Sequence, residues 1–184
     1  MPPYHFARFS PPAARIAVAP VLAALLAAAL LAAACQPAPQ GQAAKKKAAY
    51  ELYREYAREF PQVKDISPEA LMALKDPVII DVRSDKERQV SMIKNAVTGE
   101  EFLKNPKAFG ARPLAAYCTI GYRSAEFAQK MAEKGIVVKN LQAGILGWLH
   151  AGGEIAGPGG APSKTVDVYG EDWDLAPDGI KTVW

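Results

Sequence analysis

Cys118 and Arg123 belong to one short stretch, Cys-Thr-Ile-Gly-Tyr-Arg-Ser over 118–124, which brings a thiol and a guanidinium within reach of each other. The thiolate is the nucleophilic form of cysteine, and a helix N-terminus or a neighbouring cation can lower a thiol pKa from about 8.5 to roughly 3.5–7.5. The stretch offers both. Leu114 to Tyr117 is an apolar run suited to a buried strand, and Ala125, Phe127, Ala128, Met131 and Ala132 recur at helical spacing up to a stop at Gly135. The residues between must curl back on Cys118. A curled loop feeding a helix turns N–H groups inward, so the cradle favours an anion at its centre. A cation in a helix's first turn opposes the macrodipole, which makes Arg123 a signal of a negative partner. Its planar fork matches an oxyanion. These residues predict a nucleophilic sulfur beside an anionic substrate; the alternative is an inert core cysteine.

The elements that must position this loop alternate. Val63 to Ile66 reads as a strand, and Ser67-Pro-Glu opens a helix with Ser67 as N-cap and Pro68 in the first turn. Val78 to Val82 is an unbroken apolar strand carrying one aspartate, as in a parallel sheet covered on both faces. Glu100 to Phe109 reads as a short helix, Leu114 to Tyr117 as the central strand, Ile136 to Leu141 as another strand and Ile145 to His150 as a closing helix. This order predicts an α/β fold, a mostly parallel central sheet flanked by helices. Ligands bind beyond the carboxyl ends of strands in such sheets, and Cys118 is at one.

The loop 118–124 and its alanine-rich helix resemble the active-site loop of the rhodanese-like sulfurtransferases. Val78-Ile-Ile-Asp-Val-Arg83 is similar to that family's first buried strand, and Asn140 to Trp148 to its last strand and following helix. The resemblance covers roughly 62–157. It implies a single rhodanese-like domain in which Cys118 takes the sulfane sulfur of a small anionic donor, thiosulfate or a persulfide. Cys118 then passes that sulfur to a thiol or cyanide-like acceptor, by covalent catalysis in two steps. Arg123 would orient the donor, with Thr119, Ile120, Gly121, Tyr122 and Ser124 lining the substrate. Asp81 and Arg83 would support the loop, Arg83 pairing with an acid a few residues on, such as Glu87. Related phosphatases carry one residue more between cysteine and arginine, so the shorter loop suits sulfur better than a phosphoryl group. A sulfur carrier, redox sensor or partner-binding module of the same fold is the alternative reading. No cofactor is implied, and with two histidines, His5 and His150, no metal site.

Residues 1–34 contain no acid, two arginines and an alanine- and leucine-rich run from Ile16 to Ala34, the pattern of a signal peptide. Ala32-Ala-Ala-Cys35 resembles a lipobox in which Cys35 is lipidated. Cleavage without lipid and an uncleaved helix are the other readings. The expectation is an exported lipoprotein facing the periplasm, with Gln36 favouring the outer membrane. The chain holds two cysteines, so a lipidated Cys35 leaves Cys118 without a partner. Removing the leader takes the formal charge from +3 to +1, which gives no basis for nucleic-acid binding. Residues 35–48 read as the lipidated cysteine and a flexible tether, 49–61 as a helix with Leu52, Tyr53, Tyr56 and Phe60 on one face, and 62–157 as the domain. The extension over 158–184 either packs on the domain or docks a partner, and a protein acceptor fits the latter.

Overall fold

The computed structural model describes residues 41–184. The leader over 1–34 and Cys35 lie outside them. The first element, α1 (Gln42–Ala57), begins earlier than the tether reading allows, because Ala43, Ala44, Ala48 and Ala49 with three lysines are strong helix formers. It buries Ala49 and Tyr53. No helix among the described residues is long and apolar enough to cross a membrane.

Strand β1 (Asp65–Ile66) leads into α2 (Pro68–Met72), where Ser67 Oγ accepts the Ala70 N–H at 3.1 Å with proline in the first turn. Next come β2 (Val78–Asp81) and α3 (Asp85–Val90). A capping box closes the start of α3: Ser84 Oγ takes the Glu87 N–H while the Glu87 carboxylate takes the Ser84 N–H. Two short strands follow, β3 (Met92–Ile93) and β4 (Val97–Thr98), then α4 (Gly99–Lys104). The helix expected to run to Phe109 breaks at Asn105 and resumes as a 3₁₀ turn, Pro106–Phe109. Pro106 supplies no N–H, and it pushes the residue before it out of the helical region.

The centre is β5 (Leu114–Tyr117), followed by α5 (Tyr122–Ala132), β6 (Lys139–Leu141) and α6 (Gly144–His150). Strand β6 starts later than expected because Ile136 N–H bonds back to Met131 O at 2.9 Å and so completes the end of α5. The five-stranded sheet runs β1-β6-β5-β2-β4, and every pairing in it is parallel. Its two faces follow the two-residue period of a strand. Ala115 and Tyr117 of β5 join the core under α1 and α6, while Ala116 joins Phe102, Ala128 and Met131 under α4 and α5.

The extension packs on this body. Strands β7 (Ile155–Ala156) and β8 (Pro162–Ser163) pair antiparallel, β7 also against β3, while β9 (Thr165–Asp167) pairs in parallel with β10 (Lys181–Val183). Val166, Val168, Leu175 and Ala176 are buried in the same core as Ala49 and Tyr53 of α1. Both ends of the described chain thus close over one face of the sheet.

Candidate active site

Cys118 follows the last residue of the central strand, and it is 1% exposed. The Gly121 N–H donates to Cys118 Sγ at 3.1 Å. The loop can turn this tightly because Gly121 sits at φ +116, and a side chain there would come within 2.7 Å of the Tyr53 ring. The carbonyls of the loop are taken from behind. Ile145 and Leu146, in the first turn of α6, donate to Cys118 O at 2.9 Å and Thr119 O at 3.4 Å. Only glycine fits at 144, since an added Cβ would lie 2.4 Å from Cys118 O. Asn140, at the sheet's carboxyl edge on β6, closes the other side. Its Nδ2 donates to Gly121 O at 3.1 Å and its Oδ1 accepts from Ser124 Oγ at 2.7 Å, which holds the serine oxygen 3.6 Å from Sγ.

The expected pairings of the arginines are redistributed. Arg83 does not take Glu87: its Nη2 donates to Asp81 Oδ2 at 2.8 Å and to Ser91 O at 2.6 Å, and its Nε donates to Asp81 Oδ1 at 3.0 Å. Tyr117 OH also donates to Asp81. Burial first, and then the Asp81 charge, pushes that phenol well above its ordinary pKa, so it stays a donor. Asp81 and Arg83 therefore brace the ends of β2 and β5, and neither hydrogen-bonds a residue of 118–124.

Glu87 belongs instead to Arg123. Its two carboxylate oxygens accept from Arg123 Nη1 and Nη2 at 2.8 and 2.7 Å, and Thr119 Oγ1 sits between the two at 3.1 Å from each partner. Burial works against a charge on Glu87, yet the Arg123 and Ser84 hydrogen bonds hold its carboxyl down at about 2. Arg123 shifts upward: burial opposes its charge, and the Glu87 bond and the nearby Cys118 sulfur outweigh it. The loop's cation is thus matched by a buried anion.

Cys118 opens onto a cavity of about 280 Å³ lined by Tyr56, Tyr122, Arg123, Tyr169 and Trp173. Tyr122 meets Tyr56 edge-on at 5.5 Å, and Tyr56 stacks with Trp173 at 6.1 Å. Tyr169 lies with its ring 5.2 Å from the Arg123 guanidinium. To be there it adopts φ +74, rare for a bulky residue, with its N–H held by Asp167 Oδ1 at 2.9 Å.

Of the residues named from sequence, Cys118, Gly121, Tyr122, Arg123 and Ser124 come together around the sulfur. Thr119 turns its hydroxyl to Glu87 instead, and Ile120 is fully buried in the core. Glu87 in this role, Asn140, Tyr56, Tyr169 and Trp173 were not foreseen. The Ser84-x-x-Glu87 spacing is a capping-box signal from which a held carboxylate could be read, but not its partner. Among the described residues no cluster of His, Cys, Asp and Glu could hold a metal ion. The site offers a lone sulfur, a hydrogen bond to it, and an aromatic chamber in front.

Residues 67–151 match the family model of the rhodanese-like domain. Among solved structures, the chain is similar to a rhodanese-related protein from Thermoplasma volcanium, at 23% identity and a TM-score of 0.45, covering 50% of this chain and 97% of that one. A rhodanese-like domain protein from Staphylococcus aureus matches at 25% identity and a TM-score of 0.41, covering 47% and 91%. A thiosulfate sulfurtransferase from Pseudomonas aeruginosa matches at 22% identity and a TM-score of 0.50, covering 61% of this chain; the chain spans 23% of that protein's length. No curated protein matches.

Proposed function

We propose that the rhodanese-like domain over 67–151 works as a sulfurtransferase with Cys118 as the sulfur carrier. The observation that supports this best is the placement of Cys118 Sγ at the end of the central strand, 3.1 Å from the Gly121 N–H and facing a chamber. In the first step the Cys118 thiolate attacks the outer sulfur of thiosulfate or a persulfide. A new Cys118–S bond forms, the donor's S–S bond breaks, and its electron pair leaves with sulfite or a thiolate. In the second step a thiolate or cyanide takes that outer sulfur, and the Cys118 thiolate is regenerated. No external oxidant is needed. Incubating the full-length chain with thiosulfate or a persulfide and cyanide should yield thiocyanate, and Cys118→Ala should abolish it; equal production by the two proteins would remove Cys118 from the reaction.

A second reading is a carrier or partner-binding module without turnover. It draws on the near-complete burial of Cys118 and on the commitment of Arg123 to Glu87. Intact mass spectrometry separates the two: a Cys118 adduct one sulfur atom heavier that persists in the presence of cyanide favours the carrier.

For location we propose an exported protein anchored by a lipid on Cys35, facing the periplasm at the outer membrane. The support is the acid-free, alanine- and leucine-rich leader ending at Cys35. Cys35→Ser should move the protein out of the membrane fraction, and unchanged membrane retention would sink the proposal.

A further inference from the structure

The chamber over Cys118 is built largely from outside the matched domain. Tyr56 comes from α1, and Tyr169 and Trp173 come from the C-terminal extension; of the aromatic walls only Tyr122 lies within 67–151. These walls determine what can approach the sulfur. Arg123 is the one cation among the lining residues, and its charge is already met by the buried Glu87 carboxylate and by the Tyr169 ring. An entering dianion would meet the sulfur without an uncommitted positive charge. Neighbours of the lining residues add negative charge: Tyr122 OH donates to Glu59 at 3.3 Å, and Glu171 and Asp172, which precede Trp173 in the chain, are exposed. In contrast, Tyr56, Tyr122 and Trp173, Tyr56 packed against the other two, line the cavity with ring carbon, a surface to which an apolar or aromatic group binds well. A volume of about 280 Å³ falls near the lower end of small-molecule sites, which run roughly 300–1,000 Å³, so it has room for one ring-sized group.

On the sulfurtransferase reading, we infer that this site takes sulfur from a small organic donor carrying an apolar, aromatic group beside its sulfane sulfur, in preference to an inorganic dianion such as thiosulfate. The aromatic group occupies the chamber lined by Tyr56, Tyr122 and Trp173 and directs the outer sulfur at Cys118. With an arylthiosulfonate, the Cys118 thiolate bonds to the outer sulfur, the bond between that sulfur and the sulfonyl sulfur breaks, and its electron pair leaves as the arylsulfinate. Charge and atoms balance, and Cys118 holds the persulfide.

The test uses the full-length chain with cyanide as acceptor and three donors: benzenethiosulfonate, methanethiosulfonate and thiosulfate. The readout is the ratio of kcat/KM for benzenethiosulfonate to that for methanethiosulfonate. Comparing this ratio between proteins cancels the intrinsic reactivity of the two donors. Trp173→Leu and, separately, Tyr56→Leu should each lower the ratio about tenfold, and wild type should use thiosulfate less well than benzenethiosulfonate. If wild type turns over the donors and the ratio stays the same in both variants, the inference falls and the sulfurtransferase reading stands. If wild type transfers sulfur from none of the three and Cys118 gains no sulfur, both fall together.

Discussion

Two arginines in this protein have the same partners in kind, a carboxylate and a tyrosine ring, and opposite surroundings. Arg83 is closed in with Asp81, both side chains at 0% exposure, and its guanidinium lies 5.4 Å from the Tyr117 ring. Arg123 pairs with Glu87 while its side chain stays 32% exposed, 5.2 Å from the Tyr169 ring. The first pair starts from Asp81, the last residue of β2, and joins β2, β5 and the Ser91 carbonyl into one block. The second forms part of the chamber wall beside the sulfur. The contrast shows how one interaction serves two purposes: fully sealed, an ion pair braces strands; open on one side, it sets the charge that a ligand meets.

Breaking the sealed pair should have the largest effect. Asp81→Ala leaves a buried guanidinium without its counter-charge, a situation that costs roughly 3–5 kcal/mol. Urea denaturation should show a loss of that order; a loss below about 1 kcal/mol would mean that water reaches Arg83 and that the two pairs are alike.

An intermediate effect, and one that depends on pH, is expected for Glu87→Gln. The Glu87 carboxyl is held at about 2 in the folded protein, against roughly 4.3 in an unfolded chain. A depressed carboxyl stabilises the fold above its unfolded pKa, and the stabilisation drains away as pH falls from about 4.3 toward about 2. Wild type should therefore be more stable than the variant at pH 7, with the gap closing between pH 4 and pH 2. A gap that stays constant with pH would show that the pairing with Arg123 does not hold that proton off.

The smallest effect belongs to the exposed aromatic partner. Tyr169→Leu removes a ring from a partly exposed guanidinium, worth about 0.5–1 kcal/mol in such settings. The corresponding Tyr117→Leu takes out a fully buried phenol that donates to Asp81 and accepts from the Ile93 N–H, and it should cost several times more in the same denaturation assay. Equal losses would erase the distinction between the sealed and the open pair.

Much of the sulfur loop was legible beforehand because it is local. Strand, turn and helix follow one another within 114–132, and they leave their marks in the apolar spacing and the glycine stop at 135. The segment 42–48 is helical rather than a tether for a related reason: alanine and lysine serve a solvated linker and a helix equally well, and docking of Ala49 and Tyr53 decides for the helix. Glu87 shows the limit most clearly. The family resemblance implies it as the partner of Arg83, yet its carboxylate reaches Arg123 across 36 residues of chain.

From residue types and their periods alone came the parallel α/β order and Cys118 at a strand's carboxyl end, with a curled loop after it. Which carboxylate answers which arginine, and the meeting of Tyr56 with Trp173 over the sulfur, were settled by folding. Those contacts join segments far apart in the chain, whose proximity depends on how the helices and the extension pack on the sheet, and no local pattern of residues records that packing.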